Sequence, residues 1–305
     1  MVMSLQHGGT ALTVAWQDAE LFRYVYLPDD PQLESPRPYF HPVRTLGGDL
    51  VSLYRPHDHA WHKGIALSLP NVGQENFWGG PTFRGGRYVQ AHNDGAMRHD
   101  SFGLAVAKDG MLRLDERLSW VTESGQRPVS ERRRIAAVGW PDAGAWNLAF
   151  ETTLRNVSGA DIVIGSPTTE GRPNAGYGGL FWRGPRSFTG GTVLTPAGAG
   201  GDELMGARGP WLAFTGRHDG TGRASTLVFR DAPGNFSYPS KWFVRSTPFA
   251  CLCPAPFFDT TRLFAAGASL TLRYDIAIAD GELDPAGCAG LAERAAARDL
   301  LSAWE

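Results

Sequence analysis

A chain of 305 residues with 42% hydrophobic and 20% charged residues can build a sizeable core, as one large domain or two tightly joined halves. Its formal net charge of -2 gives no electrostatic case for nucleic acid or an anionic membrane surface. No apolar run reaches the roughly 18 residues that a spanning helix needs, and residues 1–7 lack the basic-then-apolar order of a secretory signal.

Three cysteines, Cys251, Cys253 and Cys288, make no disulfide framework, so the expectation is a reduced, cytoplasmic protein. The 38 glycines and 21 prolines are spread along the chain and punctuate many short apolar segments, as in a strand-rich protein. In chain order, strands are expected over 11–16, 21–27, 50–54, 65–69, 104–107, 112–118, 146–154, 162–164, 211–214, 226–229, 242–244 and 269–278. Asn93-Asp94-Gly95 and Asp109-Gly110 read as hairpin turns. The run Glu131-Arg132-Arg133-Arg134 reads as an exposed strand face, and 184–209 as long loops around one short strand. Cys251 and Cys253 share one face of an apolar strand.

A helix is expected over 285–303, with Asp284 as N-cap, Pro285 in the first turn and Leu291, Ala295 and Leu301 on its apolar face. Its expected role is to cover a sheet edge or rim. These elements predict one all-β domain over 1–305, a large β-sandwich with a C-terminal helix packed on it.

The densest chemistry is Arg55-Pro56-His57-Asp58-His59-Ala60-Trp61-His62-Lys63-Gly64, which holds three of the eight histidines. On an extended strand His57 and His59 point the same way. Three further segments mix polar and aromatic residues: 74–80 with Trp78, 169–186 with Glu170, Arg172, Asn174, Tyr177, Trp182 and Arg183, and 238–245 with Trp242 and Arg245. Convergence of the four would form a carbohydrate cleft, since sugar CH faces pack on rings and hydroxyls need directional partners. The same tryptophans also suit a β core.

For acid/base catalysis the candidates are His57, His59, His62 and Glu170, pairing an imidazole with a carboxylate across the ligand. Arg172 and Arg183 suit an oxyanion or a ligand carboxylate. The three imidazoles also suit a divalent metal, with Glu75 or Glu170 as a further ligand. No dinucleotide fingerprint, phosphate loop or Gly-x-Ser-x-Gly elbow is present, so no nucleotide cofactor is expected.

Several of these residues carry a family resemblance. The segments Arg37-Pro38-Tyr39-Phe40-His41-Pro42-Val43-Arg44, 55–64, Asn76-Phe77-Trp78-Gly79, Tyr177-Gly178-Gly179-Leu180-Phe181-Trp182-Arg183 and Trp242-Phe243-Val244-Arg245 resemble a bacterial family of unknown function often labelled "methane oxygenase PmoA". Methane oxygenase subunits of that name span membranes, and this chain has no spanning run, so the activity is not carried over. A strand followed by Arg155-Asn156-Val157-Ser158-Gly159 also resembles the layout of galactose mutarotase-like supersandwich proteins, which act on sugars with a histidine and a glutamate. That likeness implies the supersandwich form of the fold.

The expected function is a carbohydrate-active enzyme, epimerase- or lyase-like, acting on a monosaccharide or small glycoside derivative. His41, Arg55, Trp61, Lys63, Trp78, Arg172, Asn174, Tyr177, Trp182, Arg183, Trp242 and Arg245 are the expected ligand contacts. The alternatives are a metal-dependent enzyme on the three histidines and a non-catalytic sugar-binding protein. The expected partner is a sugar, with neither nucleic acid nor membrane, and self-association is open.

Overall fold

The computed structural model describes residues 2–301, in which alternating apolar and polar residues form twenty-two strands. One sheet orders its main path as Met3–His7, Ala11–Trp16, Ala19–Val25, Tyr39–Val43, Ile65–Val72, Gly179–Arg183, Cys251–Ala255 and Lys241–Arg245, within eleven strands. The other has nine: Gly198–Gly200, Thr192–Thr195, Trp211–Arg217, Ala224–Asp231, Ser269–Asp280, Ala145–Asn156, Val129–Trp140, Met111–Val121 and Ala96–Lys108. A separate hairpin pairs Thr82–Arg84 with Arg87–Val89.

The two large sheets face each other across one apolar layer. Phe22 of the first stacks on Trp146 of the second with ring centroids 5.5 Å apart, and Trp182 meets Phe214 at 5.2 Å. The chain therefore forms the all-β sandwich with a C-terminal helix that its sequence leads one to expect.

The helix is shorter than expected and lies elsewhere. It runs Pro285–Ala297, and the Asp284 carboxylate accepts from the Gly287 N–H at 2.7 Å. Residues 298–301 leave the helix, though Leu301 stays buried, and residues 302 and 303 of the expected span lie outside the described residues. Cys288, Leu291, Ala292 and Ala295 face the outer side of the second sheet, over Ala277, Ala279 and Val228. The helix covers a sheet face rather than an edge, because small residues there leave room for it. The strand Ser269–Asp280 is consequently buried on both faces in its second half.

Asp109-Gly110 is a hairpin turn, with positive φ of 54° and 73°, between Lys108 and Met111. Asn93-Asp94-Gly95 is not: Asp94 makes a parallel bridge to Asn76, and the chain then enters Ala96–Lys108. The arginine run is also corrected. Glu131 and Arg133 point into the sandwich and pair at 2.8 Å, while Arg132 faces outward to Asp115. Alternation along one strand separates them. Residues 50–54 are not a strand, since their N–H groups divide between neighbours: Val51 donates to Val43 and Leu53 to Arg183. Residues 184–209 hold two short strands, Thr192–Thr195 and Gly198–Gly200.

No helix among the described residues is long and apolar enough to cross a membrane.

Candidate functional site

The histidine segment is a loop, not a strand. A bridge between Tyr54 and Lys63 closes it, and Arg55 N–H donates to His62 O at 2.9 Å across its neck. Inside, His59 N–H donates to Pro56 O at 3.0 Å and His62 N–H to His59 O at 2.9 Å, so two turns follow each other. The turns bring His59 and His62 together and send His57 outward. The loop docks on the first sheet, where Arg183 N–H donates to Gly64 O at 2.8 Å.

A buried ionic cluster holds the loop from beneath. Glu34 takes the Arg55 guanidinium through two bonds of 2.8 and 2.6 Å. Lys63, with a side chain 0% exposed, contacts Glu34 and lies 3.1 Å from Asp30. Tyr54 donates to Asp30 at 2.6 Å, and Arg37 donates to Trp61 O at 2.6 Å. Burial pushes the Glu34 carboxyl up, but Arg55 and Lys63 outweigh it and leave it below the usual range.

The loop forms one wall of a cleft of about 440 Å³, in the range of small-molecule sites. His59, Trp61 and His62 come from the loop, Trp78 from the second segment, Arg172, Tyr177 and Phe181 from the third, and Phe243 and Arg245 from the fourth. All four segments therefore meet in one place. Asn76 sets the second: its Oδ1 accepts from the Trp78 N–H at 2.8 Å and the Gly79 N–H at 3.0 Å. Close packing requires glycine at two positions. A Cβ on Gly80, at φ +68°, would lie 2.7 Å from the Trp61 ring, and one on Gly179 only 2.1 Å from Pro254 O.

The imidazoles of His59 and His62 stack with centroids 4.7 Å apart and planes 21° apart. Arg183 donates to His62 Nδ1 at 3.0 Å. A guanidinium only donates, so Nδ1 is an acceptor and the His62 proton resides on Nε2. That Nε2 has no hydrogen-bond partner among the described residues. Burial holds His62 well below the usual histidine range, with His59 and Arg183 acting the same way. Burial also lowers His59, against the opposing Asp58, whose Oδ2 lies 3.5 Å from His59 Nδ1 without hydrogen-bond alignment. Both rings are therefore uncharged at neutral pH. Burial works against the Asp58 carboxylate, but Arg183 and Arg186 overcome this and bring its pKa down to about 2.

On the opposite wall Arg172 donates to the Tyr88 hydroxyl, which lies 3.0 Å from the Tyr177 hydroxyl. Arg245 lines the cleft with its Cζ 5.7 Å from the Phe243 ring centroid. Its side chain has no hydrogen bond or ion pair among the described residues.

Of the expected residues, His59, His62, Trp61, Trp78, Arg172, Tyr177 and Arg245 line the cleft. Arg183 lies behind it, with its Cζ 3.7 Å from the Phe249 ring centroid. The others lie elsewhere. Glu170 is exposed in the turn before Arg172, and Asn174 is exposed beyond it. His57 is exposed, with Arg186 3.1 Å from its Nδ1. His41 bonds Ser52 at 2.8 Å, and burial brings it down to a pKa of about 4. Arg55 and Lys63 belong to the ionic cluster. Trp182 and Trp242 are core residues whose indole N–H groups donate to Val51 O at 2.7 Å and Gly209 O at 2.9 Å.

The three histidines form no common ligand set. Among the described residues no three His, Cys, Asp or Glu side chains are grouped to hold an ion, so the residues present do not fit a three-histidine metal centre.

Tyr88, Phe181, Phe243, Phe249 and Cys251 also line the cleft and are not among the residues that the sequence marks as site candidates. Tyr88 had a signal in Gly85-Gly86, whose positive φ of 57° and 80° makes the hairpin turn that carries it. Phe249 had none.

Comparison with known proteins places residues 11–293 in DUF6807, a family of unknown function, and the chain belongs to that family. No curated protein matches it. Among solved structures, a GH36 α-galactosidase from Geobacillus stearothermophilus aligns over 94% of this chain and 41% of its own, at 11% identity and TM-score 0.40. The chain thus spans about two fifths of that protein. A galactose 1-epimerase from Lactobacillus acidophilus aligns over 92% of this chain and 98% of its own, at 9% identity and TM-score 0.38. A putative aldose 1-epimerase from Klebsiella pneumoniae aligns over 97% and 86%, at 11% identity and TM-score 0.36.

Proposed function

We propose that this DUF6807 family member binds a monosaccharide or small glycoside derivative in the cleft and moves a proton at one of its carbons with the His59–His62 pair. The observation that carries the reading is two stacked, uncharged imidazoles opening into an aromatic-walled cleft that also presents guanidinium groups. Trp61, Trp78, Tyr177 and Phe243 offer faces for sugar CH groups. His62, protonated on Nε2, donates to a carbonyl oxygen without carrying charge itself, which suits a carbonyl that becomes an enolate. His59 keeps a lone pair at neutral pH and acts as the base.

In the step, the C–H bond next to a carbonyl breaks and its proton passes to His59. The electron pair moves onto the carbonyl oxygen, held by His62. Protonation of the other face by solvent, with His59 releasing its proton to water, completes an epimerisation, and departure of a β substituent, which takes the proton from His59, completes an elimination. Because Glu170 does not line the cleft, the base role falls to His59.

Nuclear magnetic resonance in D2O tests this on a broad panel of sugars and keto-sugars. The expected result is deuterium entering one carbon, at least about a hundredfold slower in His59→Gln, the lower end of the range usual for loss of a general base. Binding without exchange or turnover of any member overturns the chemistry and leaves non-catalytic binding. That second reading is favoured by one fact: none of the described residues lining the cleft is a carboxylate.

A further inference from the structure

We infer that the ligand of this cleft is an acidic sugar, whose carboxylate docks on Arg245 opposite the histidine pair. The inference rests on the sugar-binding reading above and narrows it to a substrate class. Two guanidiniums, Arg172 and Arg245, line the cleft, and no Asp or Glu among the described residues does. Arg172 already has a partner in the Tyr88 hydroxyl and sits with its Cζ 4.7 Å from that ring centroid. Arg245 does not. The nearby Asp202 carboxylate is occupied by Ser246 N–H, by Thr247 N–H at 3.2 Å and by the Thr247 hydroxyl at 2.6 Å, and acts on Arg245 only at a distance.

A guanidinium left without an anion in a cleft walled by Phe243, Phe249 and Pro248 is an incomplete pair. In such surroundings a planar carboxylate gains two parallel charge-assisted bonds from the Arg245 fork. The cleft suits a carboxylate better than a phosphate. An arginine fork also takes phosphate, but phosphate sites commonly add free backbone N–H groups, and the glycine lining this cleft, Gly79, has its N–H committed to Asn76 Oδ1 at 3.0 Å.

Calorimetry on the full chain tests the inference with matched probes: galacturonate and glucuronate, galactose and glucose, galactose 6-phosphate, and benzoate as an acid without a sugar. The expected result is a uronate bound at least tenfold more tightly than its neutral partner, the size of one charge-assisted contact. Arg245→Gln should abolish that preference, and Arg245→Lys should restore part of it, with thermal melts confirming that both variants fold. Equal binding of acidic and neutral sugars, or tighter binding of the phosphate, overturns the acidic class and leaves the sugar reading standing. Benzoate binding that is lost in Arg245→Gln, with no sugar bound, keeps the carboxylate subsite and overturns the sugar reading. Silence from every probe overturns both.

Discussion

Arg183 Nη1 lies 3.0 Å from His62 Nδ1, linking the end of a first-sheet strand to the histidine loop. The guanidinium is buried among Phe249, His62 and Asp58, so the bond is shielded from water. It leaves the His62 proton on Nε2.

Arg183→Lys should therefore disturb the site more than the fold. A lysine lacks the fork that reaches both His62 and Asp58. About 1.5–3 kcal/mol, the worth of a hydrogen bond to a charged group, then no longer holds the His62 tautomer in place. Nitrogen-15 spectra should show His62 protonated on Nε2 in the native chain and a mixture of tautomers in the variant. A native signal from a protonated Nδ1 would rule out the Arg183–His62 hydrogen bond, because a guanidinium cannot accept.

Stability should fall as the solution is acidified from pH 6.5 towards 4. His41 has a pKa of about 4 in the folded chain against an ordinary 6.5, chiefly through burial. The unfolded chain binds that proton first, so the contribution is full above pH 6.5 and is lost as pH drops to about 4. His59, His62 and His218 are lowered too and act in the same direction. Asp94 opposes them: burial raises its pKa to about 7, so the folded chain takes up its proton earlier than the unfolded one. Melting temperatures recorded across this range should drop more steeply in Asp94→Asn and less steeply in His41→Gln. A melting temperature that rises on acidification of Asp94→Asn would contradict buried, neutral histidines.

Glu34→Gln should destabilise the chain by about 1.5–3 kcal/mol, because Lys63 and Arg55 lose a charged partner while Lys63 keeps Asp30 at 3.1 Å. For a chain this large, each kcal/mol moves the melting point by about 2–4 °C. Adding Lys63→Met should deepen the loss, since the buried Asp30 carboxylate then loses its ammonium partner. Urea titrations of the single and double variants measure both effects. A loss under about 1 kcal/mol would mean that water reaches the cluster.

Where sequence reading succeeded, the signal was local. The strand over Ala11–Trp16, the Asp109-Gly110 turn and the Asp284 cap each depend on neighbours within a few residues. The histidine segment was recognisable as a site from its composition, but its shape was not. Extended geometry pairs His57 with His59, whereas the two turns pair His59 with His62. Trp78 and Trp182 look alike along the chain, yet one lines the cleft and the other fills the space between the sheets. Glu170 carried the right chemistry for a base, but its turn leaves it in solvent.

The sequence by itself determined the all-β class, the C-terminal helix and the four segments that hold the chemistry, because periodicity, capping and composition are short-range properties. Tertiary structure alone decided that the segments meet, that Arg183 orients His62 and that Arg245 lines the cleft with no hydrogen-bond or ion-pair partner among the described residues. Those relations join residues as far apart as His62 and Arg183, 121 positions along the chain, and strand order across the sheet, which no local pattern encodes, brings them together.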